Sequence, residues 1–574
     1  MDLKTRIDIA AGRIPADLVL TNGRIVNVCS GEIHDGDVAI AGDRIVGIGR
    51  YEGRETVDLD GKFICPGFID AHVHIESSLL SVPEYGRTVA PHGTTAVIAD
   101  PHEIANVMGA EGVRYMLACA KYCPIHVFIM ASSCVPASQF ESAGAQLEAE
   151  EIAPLLNNHW VLGLAEMMNY PGVVAGDPLV LAKLELVGSR PIDGHAPGLS
   201  GRDLCAYVAS GIGSDHECTS ADEAGEKLRL GMTIMIREGS QAKNLDALLP
   251  LIRPETLDRF LFCTDDKDVD DLLTEGHMDH ILRRAVKGGL NPVHAVKIAT
   301  FNAARYFGLH DLGTITPGRL ANIAVVDDLK SFRVRRTYRG GVLTAMDGAA
   351  IDPDADKRRL PMLRSSVNTH WLDPGDFTIR VPHDGEYEVQ VMEVLEDRID
   401  TKRSVERLRA IEGELAADPK RDLCKIAVVE RHQASGKIGR AFVRGFGLTN
   451  GAIASTVGHD SHNLVVAGTN NADMFAAAVH LVKRRGGFCV ARDGHVLADV
   501  PLSIGGLMSE ANAATLSAQL RALHEAARAL DCKLKHPFMA LSFLSLSVIG
   551  ALKVTDQGLV DVERFELIEL ARAL

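Results

Sequence analysis

Four side chains capable of chemistry stand at alternate positions of "GFIDAHVHIESS", residues 67–78: Asp70, His72, His74 and Glu76. Successive side chains of a strand point to opposite faces, so these four would share one face. Alternation alone favours a solvated sheet face. More imidazoles and carboxylates follow at the ends of later apolar runs, however. Asp100, His102 and Glu103 close "ADPHE", Glu166 closes "WVLGLAE", and His195 and His216 lie in "RPIDGHA" and "GIGSDHE". Asp265 and Asp266 close "FCTDD". Imidazole and carboxylate together are ligands for divalent zinc, manganese or iron. One such histidine alone is matched by a hydrogen-bonded structural role. Their joint placement points to metal binding.

The runs that carry these residues number eight: "FIDAHVH", "TAVIAD", "HVFIMASS", "WVLGLAE", "RPIDGHA", "GIGSDHE", "TIMIREGS" and "FLFCTDD". Between them lie stretches such as "EIANVMGAEGVRYMLACAKY" whose apolar spacing suits amphipathic helices. Eight strand–helix units predict an α/β fold, a (β/α)8 TIM-like barrel over 66–317 with its chemistry at the C-terminal strand ends. Short strands and turns before it (1–65) and after it (318–358) share a texture and are expected to pair as a flanking β-domain. Residues 359–574 mix strands with a long helix candidate, "MSEANAATLSAQLRALHEAARAL", and are expected to form a C-terminal α+β domain.

Composition narrows the function classes. The 574 residues carry a formal charge of -16, which disfavours nucleic acid as a partner. The H-x-E with P-C-x-x-C signature of zinc deaminases acting on polynucleotides is absent. No apolar run approaches the ~20 residues of a membrane span, and the acidic, interrupted N-terminus argues against a signal peptide. The 11 cysteines form no CxxC pair and read as reduced thiols, which predicts a cytoplasmic protein.

"GFIDAHVH", a carboxylate after the fourth run, histidines after the fifth and sixth, and an aspartate after the eighth resemble the amidohydrolase superfamily. Within it, "HVHIESS", "HGTTAVIADPHEIANVMG", "LAEMMNYPGV", "DGHAPGLSG", "GAIASTVGHDSHNLVV" and "KHPFMALSFLSLSVIG" resemble the adenine deaminases of the bacterial Ade type, nearly end to end. The resemblance implies hydrolytic deamination of free adenine to hypoxanthine and ammonia in purine salvage. It implies two divalent transition-metal ions, manganese before iron or zinc. His72, His74 and Asp265 would hold one, His195 and His216 the other, with Glu166 bridging where many relatives use a carboxylated lysine. Asp265 would also shuttle the proton of the attacking water.

For the proton that adenine N1 must gain, Glu103 is the first candidate and Glu76 the second; a carboxylate favoured at a helix start is the plain alternative for Glu103. His102 is expected to back the ligands, and Asp266 to back them or touch substrate. Met168 and Asn169 would offer an apolar slot and a polar contact, although methionines after a strand more often belong to core. In "GHDSHN", His459 and His462 read first as a local hydrogen-bonded cluster, and otherwise as a metal site or a reach to the barrel mouth. The expected partner is a small purine base, with no nucleic acid or membrane, and the expected assembly is a homodimer. The rival activities are those of another superfamily hydrolase, acting on a cyclic amide or a different aminated ring, and of a non-catalytic relative serving as a scaffold.

Overall fold

The computed structural model describes residues 1–136, 138–352, 359–396 and 398–574. Each of the eight apolar runs contains one strand: β1 (Phe68–Val73), β2 (Thr94–Ala99), β3 (His126–Ala131), β4 (Val161–Met167), β5 (Ile192–Gly194), β6 (Ser214–Asp215), β7 (Thr233–Arg237) and β8 (Phe260–Cys263). They pair in parallel as two arcs, β1 to β5 and β6 to β8. Backbone bonds join the arcs at both seams. Gly213 N–H donates to Ile192 O at 2.9 Å beside β5, and Asp265 N–H donates to His72 O at 3.0 Å beside β1. His74 N–H returns a bond to Asp265 O at 3.1 Å. The parallel sheet is therefore curled into a closed TIM-like barrel.

The strands read as unbroken apolar runs because a parallel barrel is covered on both faces; every residue of β1, β2 and β8 is buried. Ile69, Ala71, Ala96, Ile98, Met130, Ala165, Met235 and Leu261, drawn from six strands, share one apolar cluster. Burial of this kind stabilises by roughly 25 cal/mol per Å² of apolar surface removed from water. That makes the strand ends a stiff platform for ligands.

Strand Phe63–Pro66, just before the barrel, pairs antiparallel with Ile323–Val326, just after it, within a nine-stranded sheet. The expected boundary between 358 and 359 touches residues 353–358, which lie outside the described residues. Farther on, a second nine-stranded sheet built mainly from strands between Gly385 and Pro501 packs with helix Asn471–Arg484. This C-terminal part docks on the barrel beyond the C-terminal end of β1. Ser509 N–H donates to Leu79 O at 2.7 Å, and Ala513 N–H to Glu84 Oε1 at 3.0 Å.

Candidate metal centre and substrate cavity

His72 and His74 leave the end of β1, and the barrel seam fixes their height. His74 Nδ1 lies 3.0 Å from Asp100 O and must donate to it. That sets the tautomer: Nε2 is left with a bare lone pair. Yet this Nε2 faces His72 Nε2 at 3.2 Å, Asp265 Oδ1 at 3.1 Å and Glu166 Oε1 at 3.3 Å. A lone pair turned toward carboxylate oxygens is repulsive unless a cation or proton lies between them. The donor set therefore fits a divalent metal.

Glu166, at the end of β4, divides its oxygens. Oε1 faces His74 and also His102 Nδ1 at 3.2 Å; Oε2 faces His195 Nδ1 at 2.6 Å and His216 Nε2 at 3.2 Å. Burial works against its charge, but hydrogen bonds from His102, His195 and His216 hold the carboxyl well below its usual range. Asp265 is likewise held low, against burial, by His72, His74 and Arg237. Arg237 Nη1 reaches Asp265 Oδ2 at 2.9 Å and also bonds Glu217. Asp265 has φ +59°, a left-handed conformation uncommon for a residue with a Cβ. It is held there by the two seam bonds.

Neighbours fix the remaining ligand candidates. Tyr207 OH accepts from His195 N–H at 3.0 Å and donates to Met167 O at 2.7 Å. The buried Lys227 ammonium ties Ala196 O to Asp215 Oδ2, the residues beside His195 and His216. Asp70 turns away from the cluster. It accepts from Thr264 N–H at 3.1 Å and lies 3.0 Å from His277 Nε2, so it stitches β1 to β8.

Beside the cluster opens a cavity of about 210 Å³ with Glu76, Ser77, Glu103 and Asp266 on its barrel side. The C-terminal part supplies the opposite wall, including His459, His462, Phe538 and Phe543. His459 stacks on Phe543 with ring centroids 4.6 Å apart and planes 12° apart. Glu103 Oε1 meets His102 Nε2 and His459 Nδ1, each at 3.3 Å, and His462 Nε2 bonds Oε2. Burial would push this carboxyl up, but His459, His462 and His102 hold it well below its usual range. Glu76 is the opposite case. Burial foremost, helped by the charge of Glu103, pushes it up to about 7. One oxygen accepts from Ile104 N–H at 3.2 Å and the other has no partner among the described residues.

The structure thus gathers His72, His74, Glu166, His195, His216 and Asp265, with His102 against them and Glu76, Glu103 and Asp266 on the cavity wall. Two expected slot residues stand elsewhere, which corrects the sequence reading. Neither Met168 nor Asn169 lines this cavity. Asn169 caps helix Tyr170–Ala175, accepting from Gly172 N–H at 2.9 Å, and Met168 packs against the core. The histidines of "GHDSHN" reach the barrel mouth, the reading placed second from sequence. Sequence reasoning also missed Arg237 and Glu217.

Two family models match the chain: "Amidohydrolase family" over residues 63–344 and "Adenine deaminase C-terminal domain" over 398–566. An adenine deaminase of Desulfatibacillum aliphaticivorans is 48% identical over 98% of this chain and 99% of its own length. The chain belongs to the adenine deaminase family. Another member, from Geobacillus kaustophilus, is 45% identical over 99% of this chain and 98% of its own. Among solved structures, one described as an adenine deaminase covers 57% of this chain and 99% of its own at 17% identity, with a TM-score of 0.45. The family's C-terminal model includes His459, His462, Phe538 and Phe543, the residues that wall the cavity opposite the barrel.

Proposed function

We propose that this protein deaminates free adenine by hydrolysis, giving hypoxanthine and ammonia, in purine salvage. The observation that carries the reading is Glu166, whose two oxygens divide the surrounding imidazoles into two sets beside a cavity of base size. His72, His74 and Asp265 would hold one divalent ion, His195 and His216 the second, and Glu166 would bridge them; manganese is favoured by the family likeness. Ions held there supply Lewis acidity and a water that is nucleophilic at neutral pH.

The chain's own residues then carry the protons. Asp265 takes the proton of the attacking water and passes it to the departing amino group, while the bond from Arg237 to Oδ2 holds the carboxylate still. Water adds at C6 of adenine as N1 gains a proton; the C6–N bond breaks to release ammonia, and the proton left on the C6 hydroxyl returns to the donor as the C6=O bond forms. Glu76 is the better donor to N1. Its second oxygen has no partner among the described residues, whereas both oxygens of Glu103 face imidazoles. A group with a pKa near the working pH is suited to give up a proton and take it back.

Three domains, 1–65 with 318–358, 66–317 and 359–574, are part of this reading, and the pairing of Phe63–Pro66 with Ile323–Val326 supports the first. A cytoplasmic homodimer is the assembly we infer; all 11 cysteines are free thiols, which suits a reducing compartment. The test is ammonia release from adenine, guanine, cytosine and dihydropyrimidines, with elemental analysis of the same preparation. Release from adenine with two ions per chain is expected. Turnover of another ring in preference to adenine would overturn the substrate, and full activity without metal would overturn the mechanism.

A further inference from the structure

We propose that Glu103, oriented by His462 from the C-terminal part, accepts the ring N–H of the free purine and thereby excludes purines substituted at that nitrogen. The proposal rests on the adenine reading above and deepens it.

Position comes first. The His102 ring spans two carboxylates, with Nδ1 3.2 Å from Glu166 Oε1 and Nε2 3.3 Å from Glu103 Oε1. Glu103 therefore stands one imidazole ring beyond the metal ligands, on the wall of the cavity. Adenine has the same layout. C6 belongs to the six-membered ring, and the N–H of the free base belongs to the fused five-membered ring. With C6 at the ligands, the five-membered ring extends along the wall toward Glu103.

Orientation comes from the other half of the molecule. Gly458 N–H donates to His462 Nδ1 at 3.2 Å, so Nδ1 is a bare acceptor and the ring proton sits on Nε2. Nε2–H then donates to Glu103 Oε2. The same tautomer removes a rival. Glu103, His459 and His462 converge closely enough to hold a metal, but a protonated Nε2 has no lone pair to give it. The main chain of His462 is pinned as well. Its carbonyl accepts from the fully buried Arg431 guanidinium, which also bonds Ser366 O at 3.1 Å, Thr456 O at 3.3 Å and Gly505 O at 3.1 Å.

Capacity then decides the role. A carboxylate offers about four acceptor sites. His102 and His459 take two on Oε1 and His462 takes one on Oε2. Glu103 lines the cavity, and by this count one acceptor site on Oε2 has no donor among the described residues. A base with a free ring N–H fills it; a base carrying carbon on that nitrogen leaves it buried and unpaired. A site built around such a bond rejects the analogue lacking it by roughly 10⁴-fold or more.

The test compares kcat/KM of the metal-loaded enzyme for adenine and for 9-methyladenine, in which N–CH3 replaces the ring N–H. The expected wild-type preference for adenine is roughly 10⁴-fold. Glu103→Met, which keeps much of the length and removes both acceptor oxygens, should keep its metals by elemental analysis and reduce the preference to within about tenfold, through loss of the adenine rate. His462→Gln, which keeps a donor near the position of Nε2, should retain most of the preference, and His462→Phe should lose at least about tenfold of it. Wild-type enzyme that takes 9-methyladenine within about tenfold of adenine overturns the proposal without recourse to any variant. So does a preference unchanged in Glu103→Met. Metal-loaded enzyme inert toward adenine would instead overturn the adenine reading itself.

Discussion

Glu166 Oε2 lies 2.6 Å from His195 Nδ1, the shortest carboxylate–imidazole approach among the proposed metal ligands, while its other oxygen serves the His72–His74 side. A single anion therefore balances both halves of the centre. Glu166→Gln keeps the shape and removes the charge that holds two cations together. Metal content and turnover should fall together, turnover by at least about 10²-fold. Elemental analysis beside ammonia release checks this, and a variant retaining two ions with near-normal turnover refutes the bridge.

Glu76→Gln addresses the proton to N1. General acid catalysis contributes typically ~10²- to 10⁴-fold, so kcat should drop by about that factor while metals and purine binding survive. Loss of metal in this variant, or a change confined to KM, would remove Glu76 from the acid role.

Arg237 presents a test of positioning. Its guanidinium separates Asp265 from Glu217. In Arg237→Met the buried carboxylate of Asp265 and the half-buried one of Glu217 would face each other without a cation. Turnover should fall more than about tenfold, and Arg237→Lys should recover only part of it, because an ammonium cannot bond both carboxylates in a forked geometry. Wild-type rates in Arg237→Met would show that Asp265 needs no clamp.

His459 predicts a pH effect on stability. Burial alone would lower its imidazole, but Glu103 and Asp460 raise it to about 10 from an ordinary 6.5. The folded state thus keeps a proton that the unfolded chain gives up. That contribution is complete below about pH 6.5 and is lost as pH rises toward 10. Melting temperature should decline across this window more steeply in wild type than in His459→Gln. Parallel curves would mean that the imidazole carries no such proton.

The barrel was legible because each buried parallel strand spells a short apolar run, and the grouping of the proposed ligands because each stands where such a run stops. Other residues were hidden for different reasons. Asn169 looked like a polar contact, yet "NYPG" is also a helix start, with Asn as cap and Pro in the first turn. Tertiary geometry gave it the second role. Glu103 and His462 are 359 positions apart, and no periodicity links a helix start on the barrel to a turn in another sheet. Arg237 escaped notice because it is a cation among ligands, and its value lies in the two carboxylates it keeps apart.

Chain order gives the cavity's composite wall a consequence for synthesis. All six proposed metal ligands have been translated by Asp265, while the facing wall comes from Val457 to Phe543. A ribosome therefore releases every part of the proposed ion centre nearly two hundred residues before the first residue of the facing wall, Val457. A chain cut between the two would carry all six proposed ligands and none of the residues from Val457 onward that face them across the cavity.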